Sequence, residues 1–471
     1  MGKTSIFILP LWGTGHFIPM VEAGKRLFDI NDSFSITVLV VQPPHPSTIS
    51  NLQSYINEVS STKYGAGICF KYLPLTDPPA DFQDPVDFVS LFLQLHAPHV
   101  KAAIADSTTP VSALFIDFFA TTIIDVANEL GIPAYIFFTS NAACLALNLH
   151  LPALEKKIPF DFEEMEGEVD IPGISPIPAM CLPTSIMNKK SRSYGWFVYH
   201  GKRFLEAKGV IVNTVLELEP RLLEAINDGR CVEDQSTPPV YPIGPVIKFT
   251  DVGKHDCIEW LDAQPPSSVV FLCFGSMGCF DPPQVKEIAV GLERSGHRFL
   301  WVLRSPTVTG EIRHPVDADL EVMLPEGFVQ RTKERGLVWP RLVPQTEILS
   351  HKAVGGFVTH CGWNSILESL WFGVPTIPWP LYAEQRLNAF EMVRVMGVAV
   401  ELKVARKREV FVEAGELERA VRRLMEDSEE RKKVKEKVDE MRAACRQAVN
   451  GGGSSYAYLQ RLAQELSKAT A

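Results

Sequence analysis

Residues 342–385 read LVPQTEILSHKAVGGFVTHCGWNSILESLWFGVPTIPWPLYAEQ. A short apolar run at 354–359 predicts a buried strand, and a helix is predicted to begin directly after it. The polar side chains around this junction are His360, Trp363, Asn364 and Ser365, and the stretch closes on Glu384 and Gln385. The first turn of a helix presents unpaired N–H groups and the positive end of the helix dipole. The stretch therefore predicts a place where a negatively charged ligand binds.

The composition is that of a globular enzyme with more than one domain. A chain of 471 residues is too long for one hydrophobic core. It is 46% hydrophobic, 22% charged and 10% aromatic, which is ordinary for such proteins. The 46 basic and 56 acidic residues give a net charge of −10, which argues against a nucleic-acid partner.

The nine cysteines form no C-x-x-C pair, so we expect structural thiols in a reducing compartment. The apolar run near the N-terminus is short and meets Gly13 almost at once, which favours a buried strand over a signal peptide. No apolar run approaches the roughly 20 residues that span a bilayer. We therefore expect a cytoplasmic protein without stable membrane insertion.

Strand-length apolar runs alternate with helical patterns along the chain. The runs at 5–11, 35–41, 113–116, 134–138 and 209–213 predict strands in the first half, and 268–274 opens the second half in the same way, followed by a glycine turn at 275–278. Strands that are apolar on both faces and separated by helices predict parallel sheets covered on both sides. We expect an α/β fold of two similar βαβ domains that face each other.

The domain limits are predicted at 1–240 and 241–450, with the proline-rich stretch 238–245 as a stiff connector. Residues 451–471 are expected to form a C-terminal helix that packs back on the first domain. A helical stretch is predicted at 86–105 and irregular loops at 151–193, where prolines are frequent.

The turn after the first strand carries His16. Gly13 and Gly15 begin a dinucleotide fingerprint, but Ile18 stands where its third glycine belongs, so a plain strand-to-helix turn is favoured. An imidazole at the carboxyl end of such a strand can take a proton near neutral pH. His16 is either a catalyst or a polar residue at a helix end.

Asp117 ends the strand predicted at 113–116. Because the carboxyl ends of parallel strands lie along one sheet edge, this carboxylate could meet His16 and hold its ring, as carboxylates do in hydrolase triads. An N-cap for the following helix explains Asp117 equally well.

The spacing of Ser365 and Glu368 is that of a capping box, which alone would explain both residues. It leaves His360 and an exposed Trp363 unexplained, and these suit a phosphorylated ligand that carries a carbohydrate. A zinc site at His360 is disfavoured because partner ligands at metal spacing are lacking. Asp317 and Asp319 are interpreted as a solvated loop, not a site for a divalent ion.

With these motifs the sequence resembles the plant UDP-sugar-dependent glycosyltransferases that modify small metabolites. The resemblance covers the whole chain: the GTGHFIP turn at 13–19, IDFF at 116–119, FFTSNA at 137–142 and the signature at 342–385. It implies the GT-B fold, in which two Rossmann-like domains face each other across a cleft. The first domain then binds the acceptor and the second binds the nucleotide sugar.

The resemblance also implies a role for individual residues. His16 becomes the general base and Asp117 its partner. The donor-binding residues are Thr14, Thr139, Ser276, Leu342, Val343, Gln345, His360, Trp363, Asn364, Ser365, Glu368, Glu384 and Gln385. Of these, Ser276, His360, Asn364 and Ser365 hold the diphosphate, Glu368 the ribose, and Gln345 with the Val343 backbone the base. Trp363, Glu384 and Gln385 bind the sugar, helped by Thr139 and Thr14. Phe119 and Asn148 are candidates for lining the acceptor pocket.

The implied reaction is the inverting transfer of glucose from UDP-glucose to a hydroxyl of a flavonoid, another phenolic or a terpenoid. A final Gln in the signature usually goes with glucose. The resemblance implies no cofactor and no metal, because preorganised donors stabilise the leaving diphosphate. The partners are the acceptor and the nucleotide sugar, and the protein is expected to be a monomer.

One position departs from the family pattern. The signature usually opens with a Trp that stacks on uracil, and here that position is Leu342. Trp339 is expected to point to the opposite face of a strand, unless a bulge at Pro340 changes the alternation. We expect donor binding to survive with a modestly raised KM.

Three alternatives remain. Carbon instead of oxygen glycosylation could use the same site. A sugar-nucleotide epimerase of the same fold would need no acceptor, and a nucleotide-sugar-binding protein would have no activity.

Overall fold

The computed structural model describes residues 4–42, 46–233, 235–249, 253, 255–306, 315–403 and 411–468, with backbone alone for 46–51. The chain forms two compact units. Unit 1 contains Met1–Lys248 and Arg446–Ala471, and unit 2 contains Phe249–Cys445.

Unit 1 alternates strands and helices. Its elements are β1 Thr4–Leu9, α1 Thr14–Ile30, β2 Phe34–Val40, α2 Pro46–Ser61, β3 Ile68–Tyr72, α3 Pro85–Leu95, α4 Ala97–Ala105, β4 Val111–Asp117, α5 Ile124–Leu130, β5 Ala134–Phe138, α6 Ala142–Lys157, β6 Glu168–Val169, β7 Ile177–Pro178, α7 Arg192–Arg203, β8 Gly209–Val212, α8 Pro220–Asn227 and β9 Val240–Pro242.

Seven of these strands form one parallel sheet in the order β3-β2-β1-β4-β5-β8-β9. Strand β1 is buried along its whole length, as a strand covered on both faces must be. The strand order reverses direction between β1 and β4. In open α/β sheets the crevice at such a switch point, beside the carboxyl ends of the strands, is where ligands bind.

The sequence suggested that the stretch 238–245 is a connector, and the structure shows that it is not. It contains β9, which pairs with β8 and forms one edge of the sheet. An edge strand needs hydrogen bonds on one side only, so it tolerates Pro242. Ile243 and Val246 lie in the same core as β1, which extends unit 1 to Lys248.

Two further expectations are corrected. The helical stretch at 86–105 is two helices, α3 and α4, which break at His96; Pro98 lies in the first turn of α4, where its missing N–H costs nothing. The loops expected from 151 begin later, because α6 continues to Lys157.

Unit 2 is smaller. Its elements are α9 Asp256–Asp262, β10 Val269–Cys273, α10 Pro282–Ser295, β11 Arg298–Val302, β12 Arg304–Ser305, β13 Val316–Asp317, α11 Leu320–Met323, α12 Phe328–Thr332, β14 Gly336–Trp339, α13 Gln345–Ser350, β15 Val354–Thr359, α14 Trp363–Phe372, β16 Thr376–Pro378, α15 Gln385–Phe390, α16 Ala414–Met425 and the greater part of α17 Glu429–Val449.

Five strands of unit 2 form a parallel sheet in the order β14-β11-β10-β15-β16. Its switch point lies between β10 and β15. Helix α10 shows how the sequence sets such elements: two prolines occupy its first turn and Gly296 closes it with a φ of 76°. Each unit therefore has an α/β fold built on a parallel sheet, as the sequence predicts.

The last helix, α18 Ser454–Lys468, belongs to unit 1. Its side chains Leu459, Leu462 and Leu466 are buried in the core of the seven-stranded sheet. Tyr241 of β9 donates a hydrogen bond of 2.6 Å to Glu465. The chain therefore returns to unit 1 after completing unit 2.

The nine cysteines all lie in the described ranges and none of them forms a disulfide bond; six are buried, Cys181 and Cys279 are half-buried, and Cys69 is exposed. None of the helices within the described ranges combines the length and the apolarity needed to cross a membrane.

Candidate active site

The switch point of unit 1 brings His16 and Asp117 together. His16 lies in the first turns of α1, after the turn that follows β1, and Asp117 is the last residue of the neighbouring strand β4. His16 Nδ1 lies 2.7 Å from Asp117 Oδ2. The Asp117 side chain is fully buried, whereas the His16 side chain is 24% exposed. The pairing expected from strand order alone is thus present.

The partners of Asp117 fix the orientation of the imidazole. Its Oδ1 accepts a hydrogen bond of 3.0 Å from the Phe119 backbone N–H, and its Oδ2 faces His16 Nδ1. An ionised carboxylate can only accept, so the ring proton of neutral His16 sits on Nδ1 and its lone pair is on Nε2. Asp117 therefore holds His16 and closes the turn after β4. It is not an N-cap, because the 3-10 helix Thr121–Ile123 begins after Ala120 and α5 begins after Ile123.

Aromatic rings surround His16. Phe118 and Phe119 lie with their ring centroids 5.5 and 5.9 Å from the imidazole. Phe197, from the distant helix α7, packs against Phe119 at 5.9 Å. Trp12 lies in the same turn as His16 and contacts Phe88 and Phe92 of α3. These rings form an aromatic cluster beside His16.

The remaining residues predicted in unit 1 lie at three different elements. Thr139 follows β5 and its Oγ1 lies 3.4 Å from His16 Nδ1. Thr14 opens α1 and is half-buried. Asn148 lies in α6, where it is buried and its amide donates a 2.7 Å hydrogen bond to the Cys144 carbonyl. Its backbone carbonyl borders Gly201 of α7 so closely that a Cβ there would lie 2.2 Å away, so Asn148 packs α6 against α7.

The switch point of unit 2 has the features of an anion-binding site. Gly275 and Ser276 follow β10, and His360 follows the neighbouring strand β15. Helix α14 begins three residues later, and its N-cap Gly362 supplies no side-chain hydrogen bond to the first N–H groups. Those N–H groups and the dipole of a ten-residue helix favour negative charge at this point.

His360 is buried and uncharged. Burial lowers the pKa of its imidazole to about 4. Its Nδ1 has no hydrogen-bond partner among the described residues. A buried polar atom without a partner costs free energy.

Two glycines make room for this ring. A Cβ on Gly275 would lie 2.8 Å from His360 Nε2, and one on Gly362 would lie 2.5 Å from the same atom. Gly275 also has a φ of 73°, which only glycine adopts without strain. The backbone at these two positions therefore lies so close to the imidazole that any residue with a Cβ would clash with it.

The capping box predicted for Ser365 and Glu368 is wrong. Both residues lie inside α14, and neither caps it. Instead Gln345, at the start of α13, donates 2.9 and 2.6 Å hydrogen bonds to Ser365 Oγ and Glu368 Oε2. Burial raises the pKa of the Glu368 carboxyl to about 7, against the opposing effect of the Gln345 hydrogen bond. Helix α13 and helix α14 are joined at this polar cluster.

Trp363 is not the exposed indole that the sequence suggested. Only 3% of the residue is exposed, and it is the first residue of α14. Asn364 beside it is half-buried. Tyr382, which the sequence reasoning missed, lies 6.4 Å from the His360 ring and is 37% exposed.

Glu384 and Gln385 open helix α15. The side-chain carbonyl of Gln385 accepts hydrogen bonds of 2.8 and 3.0 Å from the backbone N–H groups of Leu381 and Tyr382. Its oxygen is thus engaged in the turn, and only 3% of the residue is exposed.

Leu342 lies in the segment before α13, next to the half-buried Val343, and is 41% exposed. Trp339 packs elsewhere: its ring centroid lies 5.3 Å from that of His255.

Asp317 and Asp319 each interact with neighbouring groups of the protein. Asp317 lies 3.7 Å from Arg304 and from Arg341, and Asp319 is the N-cap of α11. Within the described residues no group of three or more potential ligands could hold a metal ion.

Two parallel sheets of this topology, each with polar residues at its switch point, define the GT-B class of glycosyltransferase folds, and solved plant enzymes share it. The structure of Phytolacca americana UGT2 complexed with UDP-2fluoro-glucose and pterostilbene superposes with a TM-score of 0.88 at 35% identity, covering 99% of this chain and 100% of that chain. Medicago truncatula UGT71G1 complexed with UDP-glucose gives 0.84 at 38% identity, covering 98% of each chain.

The chain belongs to the plant UDP-glycosyltransferase family. The family model described as UDP-glucoronosyl and UDP-glucosyl transferase matches residues 247–439. The malvidin galactosylase UGT88C3 of Oryza sativa subsp. japonica is 51% identical over 99% of this chain and 98% of its own length. UDP-glycosyltransferase 71K2 of Pyrus communis is 43% identical over 99% and 98%.

Proposed function

We propose that the protein transfers a hexose, with inversion, from a UDP-sugar to a hydroxyl of a small aromatic or other lipophilic acceptor. The observation that carries the proposal is the His16–Asp117 pair, which leaves Nε2 as the basic nitrogen of a partly exposed ring. The aromatic rings of Phe118 and Phe119 beside it suit a phenolic acceptor. Unit 1 would supply the base and the acceptor contacts, and unit 2 the donor contacts.

The chemistry is one displacement. The acceptor oxygen forms a bond to the anomeric carbon while its proton passes to His16 Nε2, a step typically worth about 10²–10⁴-fold in rate. The bond between that carbon and the diphosphate oxygen breaks, and the electron pair leaves with UDP. Asp117 accepts the Nδ1 hydrogen bond throughout and so stabilises the imidazolium that forms.

The leaving diphosphate would bind at the α14 N-terminus, with Ser276, Asn364 and His360 as further donors. His360 stays neutral at physiological pH, so it contributes an N–H and no full charge. Preorganised donors of this kind stabilise developing charge without reorganisation, and we propose that the reaction needs no resident metal for that reason.

The donor sugar is proposed to be glucose, with galactose as the competitor to test. The side-chain oxygen of Gln385 accepts from two backbone N–H groups, so its amide nitrogen would be the atom that donates to sugar hydroxyls. A relative in rice is named malvidin galactosylase, whereas a relative in Fragaria ananassa is named putative UDP-glucose flavonoid 3-O-glucosyltransferase. Those names describe the relatives, and both donors belong in the assay.

The test incubates the purified protein with UDP-glucose or UDP-galactose and a panel of flavonoids and simpler phenols, and measures UDP release and glycoside by mass spectrometry. We expect glycoside with one donor preferred. His16→Gln should lose most of the activity, whereas His297→Gln, which removes a histidine paired with Glu426 in unit 2, should keep it. Full activity of His16→Gln would overturn the role of the base.

The same assay separates the remaining alternatives. Acid hydrolysis of the product releases an O-linked sugar and leaves a C-linked sugar in place. Incubation with the UDP-sugar alone, followed by separation of the hexose epimers, would reveal epimerase activity. UDP binding without product across the whole panel would favour a binding protein.

A further inference from the structure

A buried polar network lies behind the turn that carries Asp117. His200 of α7 is almost fully buried. Its Nδ1 lies 2.7 Å from Thr121 Oγ1 and its Nε2 lies 3.0 Å from Ser90 Oγ of α3. Both ring nitrogens are therefore engaged, one by the turn after β4 and the other by a helix.

The His200 ring remains neutral at working pH because burial lowers its pKa to about 3. A neutral imidazole has one N–H and one lone pair, so one hydroxyl accepts from the ring and the other donates to it. Charged residues on the same two helices, α3 and α7, form ion pairs. Asp87 of α3 meets Arg192 at 3.2 Å, and Arg203 of α7 meets Asp125 at 2.6 Å. The network thus acts as a fixed, uncharged brace.

The Thr121 end of this brace is joined to Asp117. The turn begins at Asp117, whose carbonyl accepts a 2.8 Å hydrogen bond from the Ala120 N–H and whose Oδ1 accepts from the Phe119 N–H. Thr121 follows immediately and is fully buried. A displacement of Thr121 would therefore be passed along three residues of closed turn to the carboxylate that faces His16.

We propose that His200 is a positioning residue: by holding Thr121 it sets the orientation of the Asp117 carboxylate and hence of the His16 ring. The inference deepens the proposed function and rests on it, since it assigns a second layer of residues to the same base. It predicts that the Thr121 hydrogen bond matters to catalysis and that the Ser90 hydrogen bond does not.

Two conservative variants test this directly. Thr121→Val and Ser90→Ala each remove one hydroxyl that contacts the buried His200 ring, so their effects on thermal unfolding should be similar. Thr121→Val should lower kcat/KM for the acceptor by about 10- to 100-fold, as small misplacements of catalytic groups do, with KM for the UDP-sugar unchanged. Ser90→Ala should stay near the parent enzyme.

A readout without turnover accompanies the kinetics. With ¹⁵N-labelled histidine, and with the His16 signals assigned from the His16→Gln spectrum, NMR reports which ring nitrogen carries the proton. The parent enzyme and Ser90→Ala should show the Nδ1–H form of His16. Thr121→Val should show a mixture of tautomers because Asp117 no longer holds the ring.

Substitutions at His200 provide a second matched pair. The amide of Asn overlaps the position of Nδ1 and that of Gln the position of Nε2, so His200→Asn should keep the Thr121 contact and His200→Gln the Ser90 contact. We expect His200→Asn to retain the His16 tautomer and most activity, and His200→Gln to lose both.

Equal effects of Thr121→Val and Ser90→Ala, or an unchanged tautomer in both, would overturn the proposal and leave a purely structural role. A failure of the proposed function looks different. In that case His16→Gln remains active while the NMR spectra still report whether Thr121 controls the ring.

Discussion

Glu368 and His360 are two buried titratable residues of unit 2 whose pKa values move in opposite directions. The raised pKa of Glu368 means that the folded protein keeps a proton between pH 4.5 and about 7 that the unfolded chain releases. Its burial therefore costs stability as the pH rises through that window. His360 refuses, between pH 6.5 and about 4, a proton that the unfolded chain binds, so it costs stability as the pH falls. Over much of this range the two effects cancel.

Removing one of the two groups should expose the other. For Glu368→Gln, the free energy of unfolding relative to the parent protein should rise, from about pH 5 to about pH 8, by an amount of the order of 2 kcal/mol, since the ionised carboxylate is no longer buried. Urea unfolding at both pH values measures the difference. Leu349→Ala, a buried apolar substitution in α13, should change stability equally at both pH values.

Leu342 is exposed at the position where the family usually has a Trp. An indole stacked on a base is worth roughly 1–3 kcal/mol. Leu342→Trp should therefore lower the Kd for UDP by roughly 5- to 150-fold, measured by isothermal titration calorimetry. Leu342→Ala serves as the control and should not tighten binding. An unchanged Kd in the Trp variant would mean that this side chain does not face the base.

At the scale of one element, the turn between β10 and α10 depends on Gly275. Ala at this position would carry both a left-handed backbone, worth about 1 kcal/mol, and a Cβ in contact with His360. Gly275→Ala should therefore weaken UDP binding by about tenfold or more, since a loss of roughly 1.4 kcal/mol in binding free energy corresponds to a tenfold change in Kd.

Gly296 provides the matched control. Gly296 ends α10, the helix that follows the Gly275 turn, and has a φ of 76°. A Cβ at this position would meet nothing within 4 Å. Gly296→Ala should cost similar stability in thermal unfolding and leave UDP affinity unchanged. If both variants bind UDP equally well, His360 does not depend on the turn for its place.

The alternation of apolar strands with glycine turns was enough to predict the parallel sheets, because β1 and β15 are buried on both faces and read as continuous apolar runs. The edge strand β9 was missed because its prolines indicate a connector, and only the neighbouring strand shows that one free side suffices. The Ser365–Glu368 spacing misled for a similar reason. The residue that satisfies both, Gln345, comes from another helix.

At the scale of the whole molecule, unit 1 is assembled from two separate parts of the chain. Leu462 of α18 is fully buried in its core. Leu462→Ala should destabilise unit 1 by about 2–5 kcal/mol. Leu424→Ala, in helix α16 of unit 2 and equally buried, should destabilise unit 2 by a similar amount.

Thermal unfolding with and without UDP distinguishes the two variants, because a ligand raises the transition of the unit that binds it. Leu462→Ala should lower the unfolding temperature of one transition, that of unit 1. UDP should not raise the temperature of that transition. A single transition lowered equally by both substitutions would show that the units unfold together.

The site could be predicted in part because each switch point follows from strand order. His16 follows β1 after a short turn and Asp117 ends the adjacent strand β4, so strand order brings them together. Phe197 and His200 reach the same region from α7, across a long irregular stretch with no periodic signal, and only the folded chain places them there.

The return of α18 to unit 1 also bears on how the protein is made. A ribosome releases unit 2 entirely before the residues of α18 emerge, so the nascent first unit must wait with the surface of α1 and β9 that this helix covers still open to water. We expect the nascent chain to need chaperone protection during that interval. The yield of soluble enzyme would then depend on how quickly translation reaches the last helix.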